Sequence, residues 1–176
     1  MDRNPTIPPA LARRPQWKGM PIPFTTLVGL TDGVPNFKTT DRAAWEICLD
    51  EKLCALCGES LPYWVWYIGS ADHVAKGVVF DLAMHRECAD WACVSCPYIA
   101  LGRAYGDHVK QTPGAVIQEL CPRSALSNEG VPLFLFRARR DNARKVWSQK
   151  LDIHMATTGT IHESIPIERR AEVVRV

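Results

Sequence analysis

No apolar run in this 176-residue chain approaches the roughly 20 residues that a membrane-spanning helix needs, the longest being runs such as 131–136. Residues 1–16 hold arginines and prolines but no apolar stretch of the kind a secretory signal carries. Both absences lead to the expectation of a cytoplasmic protein. There is no internal repeat, no glycine-rich phosphate loop and no Gly-x-Ser-x-Gly elbow, so the commonest nucleotide-binding and serine-hydrolase signatures are excluded. Net charge is also scarce, at +2, so any electrostatic argument must rest on where the charges lie.

Cysteine is not scarce. The chain has seven, an odd number, and four sit at metal-ligand spacings, which suits a reducing compartment better than a disulfide scaffold. Cys54 and Cys57 have two residues between them and Gly58 follows, the form of a knuckle that presents both sulfurs to one cation. About thirty residues later, His85 and Cys88 offer a second pair, as do Cys93 and Cys96. A helix opening at His85 would carry Cys96 about 12 Å beyond Cys88, at roughly 1.5 Å per residue. That is too far for a sulfur that must stand about 2.3 Å from the same ion. The expected ligands are therefore Cys54, Cys57, His85 and Cys88 around a structural Zn2+. A cluster on Cys54, Cys57, Cys93 and Cys96, including an iron–sulfur one, stays open, as does a redox role for the Cys93–Cys96 dithiol.

Hydrophobic residues make up 47% and charged residues 23% of the chain, ordinary values for one globular domain with tails. Residues 1–18, with Pro5, Pro8, Pro9 and Pro15 among arginines, read as a basic, proline-rich arm in extended form. Residues 19–176 read as a single zinc-binding α+β domain. Residues 25–30 suit an edge strand. Residues 41–52 suit an amphipathic helix, Thr39-Thr40-Asp41 offering an N-cap with an acid in the first turn, with Ala44, Trp45, Cys48 and Leu49 on one face and Cys48 as a buried thiol.

The β-prone run 61–68 pairs, on this reading, with 77–82 as a hairpin, its aromatics serving mainly as core. A helix follows over 84–98, ending at Pro97. Knuckle, hairpin and His-x-x-Cys at a helix start are the order of a treble-clef finger. Beyond it, 115–121, 131–137 and 146–153 suit a small antiparallel sheet. Turns fall at Asn128-Glu129-Gly130 and Asp141-Asn142, a polar loop at 154–160, and a last helix at 166–174.

Gly19-Met20-Pro21-Ile22-Pro23-Phe24, then Asp41 leading into Leu53-Cys54-Ala55-Leu56-Cys57-Gly58-Glu59, then His85-Arg86-Glu87-Cys88-Ala89 and Cys96-Pro97-Tyr98, resemble a group of small uncharacterised proteins of actinobacteria and their phages. The resemblance spans 19–147 and includes Leu135-Phe136-Arg137. It implies counterparts of Cys54, Cys57, His85, Cys88 and Cys96, with Cys93 and His73 particular to this chain. The Asp81-Leu82-Ala83-Met84 segment departs from it in lacking prolines before the histidine. The group brings no established activity.

Two functions compete. One is a zinc-stabilised, non-catalytic binding or adaptor protein, phage-encoded on the strength of the resemblance. It would meet a protein or nucleic acid through the basic arm or through the cluster 137–145, which holds Arg137, Arg139, Arg140, Arg144 and Lys145. The other is an HNH-like metal-dependent nuclease with His73 as base and Asp72 orienting it. Its metal site would lack a clear Asn or His on the following helix, Asp81 being a weak substitute.

Overall fold

The computed structural model describes residues 6–96, 99, 132–148 and 153–168. Within them the chain is α+β, with four α-helices and four small antiparallel sheets. The expected strand 115–121 and the turn at 128–130 lie outside the described residues.

The N-terminal segment departs from the extended arm expected of it. Pro8 and Pro9 fix the backbone angles that open a helical turn, α1 (Pro9–Ala12). Leu11 from that turn is fully buried in the main core. An apolar side chain of that size gains about 1.5–3 kcal/mol by leaving water, enough to dock a short segment. Strands β1 (Gln16–Trp17) and β2 (Met20–Pro21) then pair across Lys18-Gly19. Both turn residues have positive φ, the geometry of a two-residue hairpin turn. Strands β3 (Thr26–Val28) and β4 (Pro35–Thr40) form a second small sheet.

Helix α2 (Arg42–Glu51) starts one residue later than expected, with Asp41 itself as the cap: its Oδ1 accepts from the Ala44 N–H at 3.0 Å, satisfying an amide that would otherwise lack an acceptor. Trp45, Cys48 and Leu49 are its buried face, and the Trp45 indole donates to Phe80 O at 3.0 Å. The helix stops at Lys52, whose φ of 59° is left-handed. That conformation costs a side-chain-bearing residue about 1–2 kcal/mol. The Lys52 N–H donation to Cys48 O and the ammonium donation to Leu49 O, at 2.8 Å, offset it.

Strand β5 (Trp64–Ser70) pairs along its whole length with β7 (Leu133–Arg139), and β10 (Ile161–Pro166) lies on the other side of β7. This corrects the expected hairpin of 61–68 with 77–82. Val78–Val79 is a two-residue strand, β6, and offers two rungs where Leu133–Arg139 offers seven. The span expected to be a hairpin tip is helix α3 (Ala71–Lys76), opened by a capping box between Ser70 and His73.

The segment expected as a polar loop at 154–160 is largely strand: β9 (Ile153–Thr157) stands between β6 and β8 (Lys145–Ser148). The expected helix at 166–174 fails at its start, because Pro166 ends β10 opposite Phe134, and residues 169–174 lie outside those described. Asp141-Asn142 do turn the chain, in a 3-10 turn at Arg140–Asn142. Helix α4 (Arg86–Ser95) starts later than the expected Met84, because Met84 is engaged in reciprocal backbone hydrogen bonds with Trp66, at 2.8 and 3.0 Å; the expected end at 97–98 lies outside the described residues. Val65, Tyr67, Phe136 and Ala138, fully buried on one face of the β5–β7 pair, anchor the core.

Candidate metal centre

The site is assembled where α2 ends and α4 begins. Leaving α2, the chain makes a bridge between Leu53 and Ser60, and within that loop Gly58 N–H donates to Cys54 O at 2.8 Å while Cys54 N–H donates to Glu59 O at 2.8 Å. The loop is thus fixed by its own backbone. Gly58 has a φ of +78°, and a Cβ there would stand 2.6 Å from Phe24 Cδ2, so only glycine fits on both counts. Amides of the N-terminal part close the outside: Phe24 N–H donates to Leu56 O and Thr25 N–H to Ala55 O. Ala55 N–H donates to Ala83 O, which ties the knuckle to the segment leading into α4.

His85 is the N-cap residue of α4, extended and with no side-chain cap, and Cys88 lies in the first turn. The four ligand atoms of Cys54, Cys57, His85 and Cys88 lie within 4.8 Å of one another. Among the described residues no other group of three or more His, Cys, Asp or Glu side chains could hold a metal ion. Tetrahedral coordination with sulfur at about 2.3 Å places neighbouring sulfurs about 3.8 Å apart, so the ligands need only a small contraction to close on an ion. Cys57 Sγ to His85 Nδ1 is already 3.4 Å. The imidazole is oriented from behind: its Nε2 lies 3.1 Å from Ser60 O. Donation from Nε2 to that carbonyl leaves Nδ1 as the lone-pair nitrogen facing the sulfurs, the arrangement usual for a ligating histidine.

Electrostatics favour a cation here. Cys54 and Cys88 are fully buried and Cys57 nearly so. Hydrogen bonds from the Cys57 and Cys88 thiols pull the Cys54 sulfur well below the ordinary thiol range, while those same contacts and burial push Cys88 far above it. Three buried sulfurs cannot all ionise against one another, and a dication removes that conflict. The uncapped amides at the start of α4 add positive potential on the same side.

The chain matches no protein-family model, and comparison with curated proteins and with solved structures yields no match. The site must be read from its own chemistry.

The other candidate residues fall elsewhere. Cys48 is a buried thiol on α2, as expected, and its sulfur contacts Cys54 O at 4.0 Å; burial raises it to about 12, so it stays protonated beside the cluster. Cys93 and Cys96 are outside the ligand group. Cys93 packs against the core, and burial likewise holds its thiol up at about 12, the opposite of what a reactive dithiol needs. His73 and Asp72 lie on α3. The His73 ring accepts the Ser70 N–H at Nδ1, 3.2 Å away, and stands edge-on to Phe80. Burial lowers its pKa. Asp72 pairs with Lys76 at 3.0 Å.

The basic cluster 137–145 is broken up by partners. Arg137 meets Glu163, Arg140 meets Asp141, and Lys145 meets Glu46. In the N-terminal arm, Arg13 pairs with Glu59.

Sequence reading passed over a ladder of cations and rings on the outer face of β5 and β7. The Arg86 guanidinium lies 4.2 Å from the centroid of Trp66, and that of Arg137 lies 4.8 Å from Trp64 and 6.0 Å from Trp66. Arg139 lies 5.8 Å from Tyr63 and 5.9 Å from Trp64. The cross-strand register makes it, with Trp64 opposite Arg139 and Trp66 opposite Arg137. The available signal was period-two spacing in both segments, Trp64/Trp66 and Arg137/Arg139.

Proposed function

We propose that the protein is a zinc-stabilised, non-catalytic binding module, its knuckle, β5 and α4 forming a treble-clef-like finger that holds the rest of the surface rigid for a partner. The observation that carries the reading is the convergence of three sulfurs and one oriented imidazole, with ligand atoms within 4.8 Å of one another. Thiolate-rich sets with one imidazole suit Zn2+. Four protein ligands fill its tetrahedron and leave no position for an activated water, so the ion serves structure. The setting is a reducing one, the cytoplasm, in keeping with thiols kept free for metal. If the protein is phage-encoded, as its resemblance to small actinobacterial and phage proteins suggests, that is the host cytoplasm.

The test is metal dependence of folding, since a preformed site does not exist in the unfolded chain and binding energy becomes folding energy. Purified protein is expected to hold one zinc per chain and to lose its cooperative melt when a strong chelator removes it. Protein that carries no zinc, or melts unchanged after chelation, would overturn the proposal.

A further inference from the structure

Where β5 begins, one guanidinium lies beside a half-exposed ring, and the neighbouring backbone carries three further cations. Tyr63 is 48% exposed, stands edge-on to Trp64 with centroids 5.1 Å apart, and has the Arg139 guanidinium 5.8 Å from its own. Arg139 has no carboxylate partner among the described residues.

The neighbouring backbone brings the other cations to the same place. Arg140 N–H donates to Tyr63 O at 2.9 Å, Arg140 Nη1 donates to Leu61 O at 3.0 Å, and Leu61 N–H donates to Lys52 O at 2.9 Å. Arg144 reaches back to Ala143 O at 2.7 Å and to Asp141 O. The Asp141 carboxylate stands 2.9 Å from Arg140 and is held below its ordinary pKa by that hydrogen bond and by the charges of Arg140, Lys52 and Arg144, and Asp50 and Glu51 directly precede Lys52 on α2. Arg139, Arg140, Arg144 and Lys52 outnumber Asp141, Asp50 and Glu51, which leaves a small positive surplus even though the longer basic cluster is largely neutralised.

We infer that this patch binds single-stranded nucleic acid, with phosphates on Arg139, Arg140, Arg144 and Lys52 and an unpaired base stacked on Tyr63. The inference rests on the binding-module reading and names the partner. Surplus positive charge alone would serve any acidic partner. The half-exposed aromatic face beside a guanidinium is what favours nucleic acid, because every base has a π-face that stacks on such a ring. In a duplex the bases already stack on one another, so the ring has a use only for an unpaired strand.

The test is fluorescence anisotropy of the full-length, zinc-loaded protein with a labelled oligothymidine and with a duplex of equal length. The single strand is expected to bind more tightly, with log K falling by about 0.7 per phosphate contact for each tenfold rise in salt. Tyr63→Ala should weaken binding by about fivefold to a hundredfold, the range for one lost stacking contact, whereas Tyr63→Phe should retain it. Arg139→Gln should lower the salt slope by about one contact.

Absence of binding at low salt, equal affinity for the duplex, or indifference to Tyr63→Ala and Arg139→Gln would overturn the inference. So would equal displacement by polyglutamate, which would mark the patch as a site for acidic protein. Zinc content and the melt of the same sample separate the two failures: zinc-free protein refutes the module, and folded, zinc-loaded protein that ignores the oligonucleotide refutes only this partner.

Discussion

The knuckle that carries Cys54 and Cys57 and the β5–β7 pair a few residues later reach rigidity by different routes. The knuckle is a short loop held by its own amides, and its two buried sulfurs meet a third, Cys88 of α4, all of which repel one another when ionised. Its order is concentrated in one point, a cluster of ligands that could hold a cation. The strand pair has no such point. Seven rungs, the stacked rings of Tyr67 and Phe136 with centroids 5.6 Å apart, and the Arg–Trp ladder across the outer face share the load. Damage to the first should therefore be all-or-none and dependent on metal, while damage to the second should be graded and independent of it. The two meet at Trp66, whose backbone bridges to Met84 next to His85 and whose ring lies under Arg86.

The largest expected effect is at Cys88. Cys88→Ser removes one sulfur from a site whose occupancy is worth on the order of 10 kcal/mol to a small zinc fold, so zinc stoichiometry and the cooperative melt should be lost together. A variant that keeps both would erase the distinction between the regions. Next comes Phe136→Ala, which opens a cavity in a fully buried position and should cost about 3–5 kcal/mol in chemical denaturation while zinc content stays at one per chain. Loss of zinc from that variant would mean the sheet and the metal site form one cooperative unit.

Smaller, and opposite in sign, is Tyr67→Phe. The Tyr67 hydroxyl is buried without a hydrogen-bond partner among the described residues. Removing it while keeping the ring should raise stability by about 1 kcal/mol, measured by urea titration; a loss would reveal a partner for that hydroxyl.

The smallest effect belongs to His73. Burial depresses its pKa in the folded state, so the unfolded chain takes up the proton first as pH falls below about 6.5. The stabilisation is present above that pH and is lost as pH drops through the folded value. Wild type should lose slightly more stability than His73→Asn between neutral and mildly acidic pH, and parallel curves would contradict this.

What the sequence made visible was local. Asp41 announces α2 because a side-chain carboxylate there serves amides three residues on, and Cys-x-x-Cys-Gly announces the knuckle because its geometry is contained in five residues. Helix rise kept Cys96 from sharing an ion with Cys88, but the Cys93–Cys96 pair stayed open in the sequence, and it is the fold that brings His85 and Cys88 to Cys54 and Cys57. The partner of β5 could not be read in this way. Trp64–Ser70 is apolar enough to pair with any long strand, and the choice of Leu133–Arg139 over Val78–Val79 depends on contacts more than sixty residues apart in the chain. The docking of Leu11 was hidden by its surroundings, since prolines and arginines on both sides suggested an extended tail. β9 was hidden as well: His154-Met155-Ala156-Thr157 reads as polar, yet as the middle strand of its sheet it buries Met155 and Ala156. Ser70 and His73 carried a signal for α3, a capping residue three positions before its reciprocal partner, which the expectation of a hairpin obscured.

X-ray absorption at the zinc edge of the purified protein tests the central claim most directly. The account predicts one zinc per chain with three sulfurs at about 2.3 Å and one nitrogen at about 2.0 Å, the nitrogen lost in His85→Ala. A shell of four sulfurs, a shell with an exchangeable oxygen, or protein without zinc would contradict it.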